Sequence, residues 1–278
     1  YFTASVDYDT SSVSLNKDQK SPRYIVTDGD NTYIAYENDP EGDGVVNSID
    51  IQTPHNLLGQ RGYGFMLTGT LTSLKDNANI VISSEKDVIV RGTFDILGEN
   101  SNLTLQSSSW TYFEGTANVT GDISVYGGVD LDGTISSSAK ETSLYLDKTS
   151  TIATQNPATT ITLKAGKDAD LNGAIVAGGK IGSTGVVYNG ADSVVNIDAG
   201  EQIYLNAAVV ASKEINIATS KITSVEDDGY GLIVTAAGGL TAGAISSDNT
   251  GGNVTIDTVG SISLIGNIYS GAQVARDN

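Results

Sequence analysis

Along most of the chain, apolar and polar residues alternate with a period of two, in short runs. Ile80-Val81-Ile82, Leu103-Thr104-Leu105, Leu144-Tyr145-Leu146, Ile161-Thr162-Leu163, Val195-Asn196-Ile197, Ile215-Asn216-Ile217, Leu232-Ile233-Val234 and Val254-Thr255-Ile256 each set two apolar residues around a middle one, as does Val88-Ile89-Val90. Successive side chains of a strand point to opposite faces, so the outer two residues of each triplet share a face that can be buried. Gly, Asn, Asp and Ser separate the runs and supply turns. Apolar stripes at i, i+3, i+4, i+7 are missing, and Gly or β-branched residues interrupt nearly every ten-residue window, which argues against helices. The pattern predicts short strands throughout.

Spacing decides how such strands pack, because a fixed period marks a stacked solenoid. From Leu103 onward the triplets advance by 41, 17, 34, 20, 17 and 22 residues, and counting 41 and 34 as double steps gives a coil of 17–22 residues. A second series shares L-x-G-x-I: Leu131 to Ile135, Leu171 to Ile175 and Leu264 to Ile268, with Leu205 to Val209 as a degenerate copy. Its small residues Gly133, Gly173, Ala207 and Gly266 fit a sharp corner, where a Cβ would crowd the backbone. Coils near 20 residues with two or three short strands predict an all-β parallel β-helix, each coil burying its inward residues only when neighbours stack. The structural competitor is an antiparallel sandwich. The expected organisation is an N-terminal strand and acidic loop-rich cap over residues 1–66, a solenoid over 67–271 and a tail over 272–278. Nearly ten coils, about 45–50 Å of rod, are expected between 79 and 271.

Charge and composition narrow the roles. The chain has 33 acidic and 15 basic side chains, a net charge of −18, and no cysteine. Phosphate binding needs clustered Lys and Arg, so nucleic acid and anionic membrane surfaces are not expected partners. Without cysteine there is no disulfide, no thiol catalysis and no Cys-ligated zinc. No run of 18 or more apolar residues signals a membrane-spanning helix, so no membrane insertion is expected. The chain starts at Tyr1 rather than Met, which reads as a processed chain from which a secretory signal was removed.

Candidate chemistry is sparse. His55 is the only histidine, which excludes a three-His zinc site, and no G-x-S-x-G elbow or phosphate-binding loop accompanies it. A polysaccharide lyase or hydrolase stays open as an alternative, although arginine is limited to Arg23, Arg61, Arg91 and Arg276. Asp28, Asp30 and Asn31, then Glu37, Asp39, Glu41 and Asp43, have the oxygen density of a Ca²⁺ site; they read also as solvated acidic turns. Trp110 and Tyr112 would share one face of a strand, either as a core patch or as an exposed platform for sugar or for another subunit. Asn102, Asn118 and Asn253 head N-x-T glycosylation sequons, a pattern that Thr/Asn-rich strands also produce by themselves. Phe2, Ala4, Val6 and Tyr8 alternate with polar residues as an amphipathic strand, able to add to the open edge of a neighbouring copy.

The segments Asp198 to Ser212 and Asn253 to Ile268 resemble the coils of filamentous-haemagglutinin-type proteins, a likeness of pattern over roughly residues 79–271. The resemblance implies a secreted, fibrous, right-handed β-helix at a cell surface. The expected function is therefore an extracellular structural solenoid, part of a surface filament, sheath or adhesive fibre, whose partners are copies of itself head to tail and a host or matrix polysaccharide. A carbohydrate-binding or polysaccharide-cleaving β-helix is the alternative.

Overall fold

The computed structural model describes residues 6–7, 22–28, 31–38, 48–52, 65–67, 70–74, 76–84, 86–130, 132–182, 185–188, 192–220, 229–243 and 252–270. Strand β1 (Val6–Asp7) is followed by β2 (Pro22–Asp28) and β3 (Asn31–Asn38). The first coil is then β4 (Ser48–Gln52), β5 (Phe65–Leu67) and β6 (Thr70–Ser73). The second is β7 (Asn79–Ser84), β8 (Val88–Val90) and β9 (Thr93–Ile96), and the third β10 (Asn102–Ser107), β11 (Thr111–Phe113) and β12 (Thr116–Val119). The fourth holds β13 (Ile123–Gly127), β14 (Thr142–Leu146) and β15 (Thr151–Thr154), and the fifth β16 (Thr160–Ala165), β17 (Asp168–Leu171) and β18 (Ala174–Ala177). A hairpin, β19 (Gly179–Gly182) and β20 (Gly185–Tyr188), interrupts the series. The last three coils are β21 (Val194–Ala199), β22 (Ile203–Leu205), β23 (Ala208–Ala211); β24 (Glu214–Thr219), β25 (Tyr230–Val234), β26 (Gly239–Ala242); and β27 (Asn253–Asp257), β28 (Ser261–Leu264), β29 (Asn267–Ser270).

Every third strand pairs in parallel with its equivalent in the next coil, so three sheets run the length of a parallel β-helix. The first sheet carries β4, β7, β10, β13, β16, β21, β24 and β27, the second begins at β5 and the third at β6. At the N-terminal end the first sheet gains the antiparallel strands β3 and β2, and β1 adds in parallel to β6. The segment 1–66 thus contributes β1, the β2–β3 hairpin that lengthens one sheet, and β4 with the start of β5 from the first coil.

The inward triplet residues form axial ladders. In the second sheet Leu67, Val90, Phe113, Leu146, Leu171, Leu205 and Val234 lie in register, all fully buried, with Leu264 completing the column at the last coil. One continuous core results, because no single coil has a second layer to cover its apolar face.

The coil count differs from expectation: eight coils are seen among the described residues, seven of them between β7 and β29. The steps of 41 and 34 are not double. Leu103 and Leu144 lie on different sheets, and Ile161 pairs directly with Val195, the added length being the β19–β20 hairpin. That hairpin packs over the outer face of the third sheet, where Ala153, Val176 and Val210 point outward yet are buried. The L-x-G-x-I series marks the corner from second to third sheet at Gly173, Ala207 and Gly266, where its small residues were expected. Leu131 to Ile135 is a chance match, lying in the excursion 128–141 between β13 and β14; a Cβ on Gly133 would meet nothing within 4 Å.

Candidate functional site

Side chains at the middle position of each triplet face outward, and the three faces carry different chemistry. The first sheet presents Thr104, Ser124, Thr162, Asn196, Asn216 and Thr255 in register, and the third presents Thr93, Thr116 and Thr151. The second presents Ile89, Tyr112, Tyr145, Asp170, Tyr204 and Ile233. Hydroxyl-bearing residues suit a solvated strand surface; a column of tyrosines around an aspartate is a different kind of surface.

The upper part of this column is closed on itself. Tyr112 and Tyr145, on adjacent rungs, stack with centroids 5.1 Å apart and planes inclined by 1°. The Arg91 guanidinium lies 6.0 Å from the Tyr112 centroid while bridging Glu114 at 3.1 Å. Trp110, the residue before β11, has its ring 5.1 Å from that of Tyr112, and Lys140 stands 4.5 Å over the indole, held by Asp87 at 2.7 Å. Lys140 comes from the excursion 128–141, which folds back so that its amide donates to the Ser109 carbonyl. Trp110 and Tyr112 are therefore an outward, half-buried patch rather than core, with cations over their rings. Burial first, then Glu114 and Asp147, push the Tyr112 phenol above its ordinary range; for Tyr145, burial acts first and then Asp147 and Asp170.

The lower part is open and polar. Asp170, half-buried, accepts a hydrogen bond from Asn172 Nδ2 at 2.8 Å. Asn172 Oδ1 accepts from Asn206 Nδ2 at 3.3 Å, and Asn206 Oδ1 accepts from the Thr235 hydroxyl. Each member donates onward, so the chain of donors runs through three coils and ends on the Asp170 carboxylate. Desolvation raises the pKa of that carboxyl, opposed by the Asn172 bond.

The other candidates fall elsewhere. Asp28 and Asn31 face one another across the β2–β3 hairpin, and Glu37 lies opposite Ile49 in β3. Asp30, Asp39, Glu41 and Asp43 lie outside the described residues, among which no three His, Asp or Glu side chains gather as a cation site. Val6 pairs with Leu71 of its own chain, so β1 is the outermost strand of the third sheet; Phe2, Ala4 and Tyr8 are outside the described residues, as is His55. Asn102 donates to Asn79 Oδ1 and Asn118 to Asp95 Oδ1, both at 2.8 Å, so their amides serve axial ladders. Asn253 is the exposed member of the three sequons.

In the last coil the inward positions are exposed among the described residues. Ile262, Leu264 and Ile268 continue the inward columns of Leu232, Val234 and Leu240, yet are 45%, 46% and 36% exposed where their predecessors are 0%. Each of β27, β28 and β29 ends its sheet with one backbone edge unpaired among the described residues.

Sequence reasoning missed Tyr145, Asp170 and Tyr204 as a group. Their common position, second in L-Y-L, A-D-L and I-Y-L, was the available signal. Compared with family models, with curated proteins and with solved structures, the chain matches none.

Proposed function

We propose that the protein is a non-enzymatic extracellular solenoid, a subunit of a surface filament, sheath or adhesive fibre that assembles end to end. The exposed inward residues of the last described coil, Ile262, Leu264 and Ile268, carry this reading. A coil that exposes three strand edges and a cross-section of Ile and Leu is complementary to another set of parallel strand edges. At the opposite end β1, β2 and β5 are the outermost strands of the three sheets, so β1 meets the neighbouring copy while remaining paired to its own β6. The two ends differ, which makes the contact heterologous, and a heterologous contact that does not close generates a filament. The coil-level resemblance to filamentous-haemagglutinin-type proteins and the acidic, cysteine-free composition support secretion to a cell surface.

The test is sedimentation velocity with negative-stain microscopy on the chain and on Ile262→Lys/Leu264→Lys, which places two charges on the open face. The unmodified chain should form end-to-end rods that lengthen with concentration, and the variant single rods. Single rods for both at all concentrations would refute assembly through this end.

A further inference from the structure

We propose that Tyr145, Asp170 and Tyr204, on the outer face of the second sheet, form a binding subsite for an uncharged pyranose of a polysaccharide. The column lies along the side of the rod, away from both ends, so the inference is independent of end-to-end assembly. Tyr145 pairs with Asp170 and Asp170 with Tyr204, which puts the two tyrosines two rungs apart, about 10 Å, with a short side chain between them. Tyr112 occupies one face of Tyr145 on the preceding rung; the other face looks toward the Asp170 rung. A ring seated between the tyrosines with carbon contacts of about 3.5–4.0 Å on each side takes up about 7–8 Å, and the pucker of a pyranose takes up most of the remainder. A flat base or a second aromatic ring would leave that space underfilled.

The floor of the gap selects for hydroxyl donors. An ionised carboxylate only accepts hydrogen bonds, and the directed chain from Thr235 through Asn206 and Asn172 fixes one oxygen of Asp170. No further protein partner of Asp170 is present among the described residues, so its other oxygen is available to a ligand O–H. Asp147, close enough to perturb the Tyr145 phenol, offers a second acceptor at the rim. Its own carboxylate already accepts from the backbone and hydroxyl of Thr149, both through Oδ1. A ligand that presents an apolar ring face to a tyrosine and several hydroxyls to carboxylates is a sugar. Asp147, Asp170 and Glu114 around the site, on a chain of net charge −18, repel a uronate or sulfated sugar.

The experiment is native affinity electrophoresis of the full chain through gels containing hydroxyethylcellulose, galactomannan or xylan. Polygalacturonate serves as an anionic arm and glycol chitosan as a cationic one. At least one uncharged polymer should retard the chain, with affinity about tenfold lower or worse in Tyr204→Ala and in Asp170→Asn. Tyr126→Ala, on the first sheet, should behave as the unmodified chain; circular dichroism melts establish that each variant is folded. Retardation by none of the uncharged polymers, equal retardation of Tyr204→Ala and the unmodified chain, or retardation by glycol chitosan alone would each overturn the assignment.

Discussion

Leu146 and Leu264 occupy the same inward column of the second sheet, one in the middle of the rod and one at its last coil, and shortening each to alanine measures how open that end is. Leu146 is fully buried between Phe113 and Leu171. Its truncation removes about three carbon groups at about 0.8 kcal/mol each and leaves a cavity that stacked coils cannot collapse around, for a cost of about 3–4 kcal/mol. Leu264 is 46% exposed and its truncation leaves no enclosed cavity, so roughly half of the transfer contribution is lost, about 1 kcal/mol. Urea unfolding followed by far-ultraviolet circular dichroism, at protein concentrations below and above the onset of assembly, separates the two. In dilute solution Leu146→Ala should cost about three times as much as Leu264→Ala. At high concentration the cost of Leu264→Ala should grow, because the neighbouring copy then buries the side chain and association is linked to stability. Equal costs in dilute solution would mean that the last coil is already covered, and a concentration-independent Leu264→Ala would mean that nothing docks there.

Two further outcomes follow from the corners and from the outer face. A Cβ at Gly115 would lie 3.0 Å from the carbonyl carbon and 3.1 Å from the amide nitrogen of Gly92, and nearer still to its oxygen, which accepts from Thr116 N at 3.0 Å. Gly115→Ala should therefore destabilise by about 2–4 kcal/mol in urea titrations, overpacking and a weakened ladder bond together; a change under about 0.5 kcal/mol would refute the close-approach argument. Asp170 has a raised pKa in the folded chain, so the native state holds that proton more tightly than the unfolded chain does and stability falls as pH rises from the ordinary carboxylate range through the raised value. Asp170→Asn should raise the thermal midpoint at neutral pH and lose that advantage below the ordinary carboxylate range; the same difference at both pH values would show that the carboxyl is not strained by burial.

The strands were legible because period-two alternation is written residue by residue, and the parallel stack because Ile, Val and Leu recur at the inward positions. The repeat spacing of about 20 residues was legible too, but the number of coils was not. Stacking fixes the register of the triplets but leaves the corners free to lengthen, so the excursion 128–141 and the β19–β20 hairpin enlarge two steps without disturbing any ladder. The same freedom produced the chance match at Gly133. Trp110 and Tyr112 stood out as the densest aromatic cluster, whereas Tyr145, Asp170 and Tyr204 are separated by 25 and 34 residues and meet only through the register of the second sheet. All three sheets use the same apolar-x-apolar code, so nothing local says that Leu144-Tyr145-Leu146 and Ile203-Tyr204-Leu205 share a face while Ile161-Thr162-Leu163 belongs to another.

That uniform inner code makes the difference between the outer faces informative. A rod that serves only as a spacer has the same requirement on each face: residues that tolerate strands, hydrogen-bond to water and do not associate sideways. The columns of the first sheet through Thr104 and of the third through Thr93 meet it with Thr, Ser and Asn, including the axial pair Asn216 to Asn196 at 3.0 Å; the first sheet's other outward column runs Gln106, Tyr126, Lys164, Asp198, and the third sheet carries Ala153, Val176 and Val210 beside the β19–β20 hairpin. The second departs from it twice, placing tyrosines where they remain partly exposed and, between two of them, a half-buried carboxylate with no cation to offset its desolvation. Asparagine there would keep the hydrogen bond from Asn172 within reach, through its own carbonyl oxygen, and avoid the charge. The half-buried Asp198 of the first sheet has Lys164 beside it to offset its desolvation, whereas Asp170 has no such neighbour among the described residues, so strand stability opposes Asp170. Groups held against the interest of folding are concentrated where a protein makes contact with a ligand, which is why the side of this rod, and not only its ends, belongs in an account of what it does.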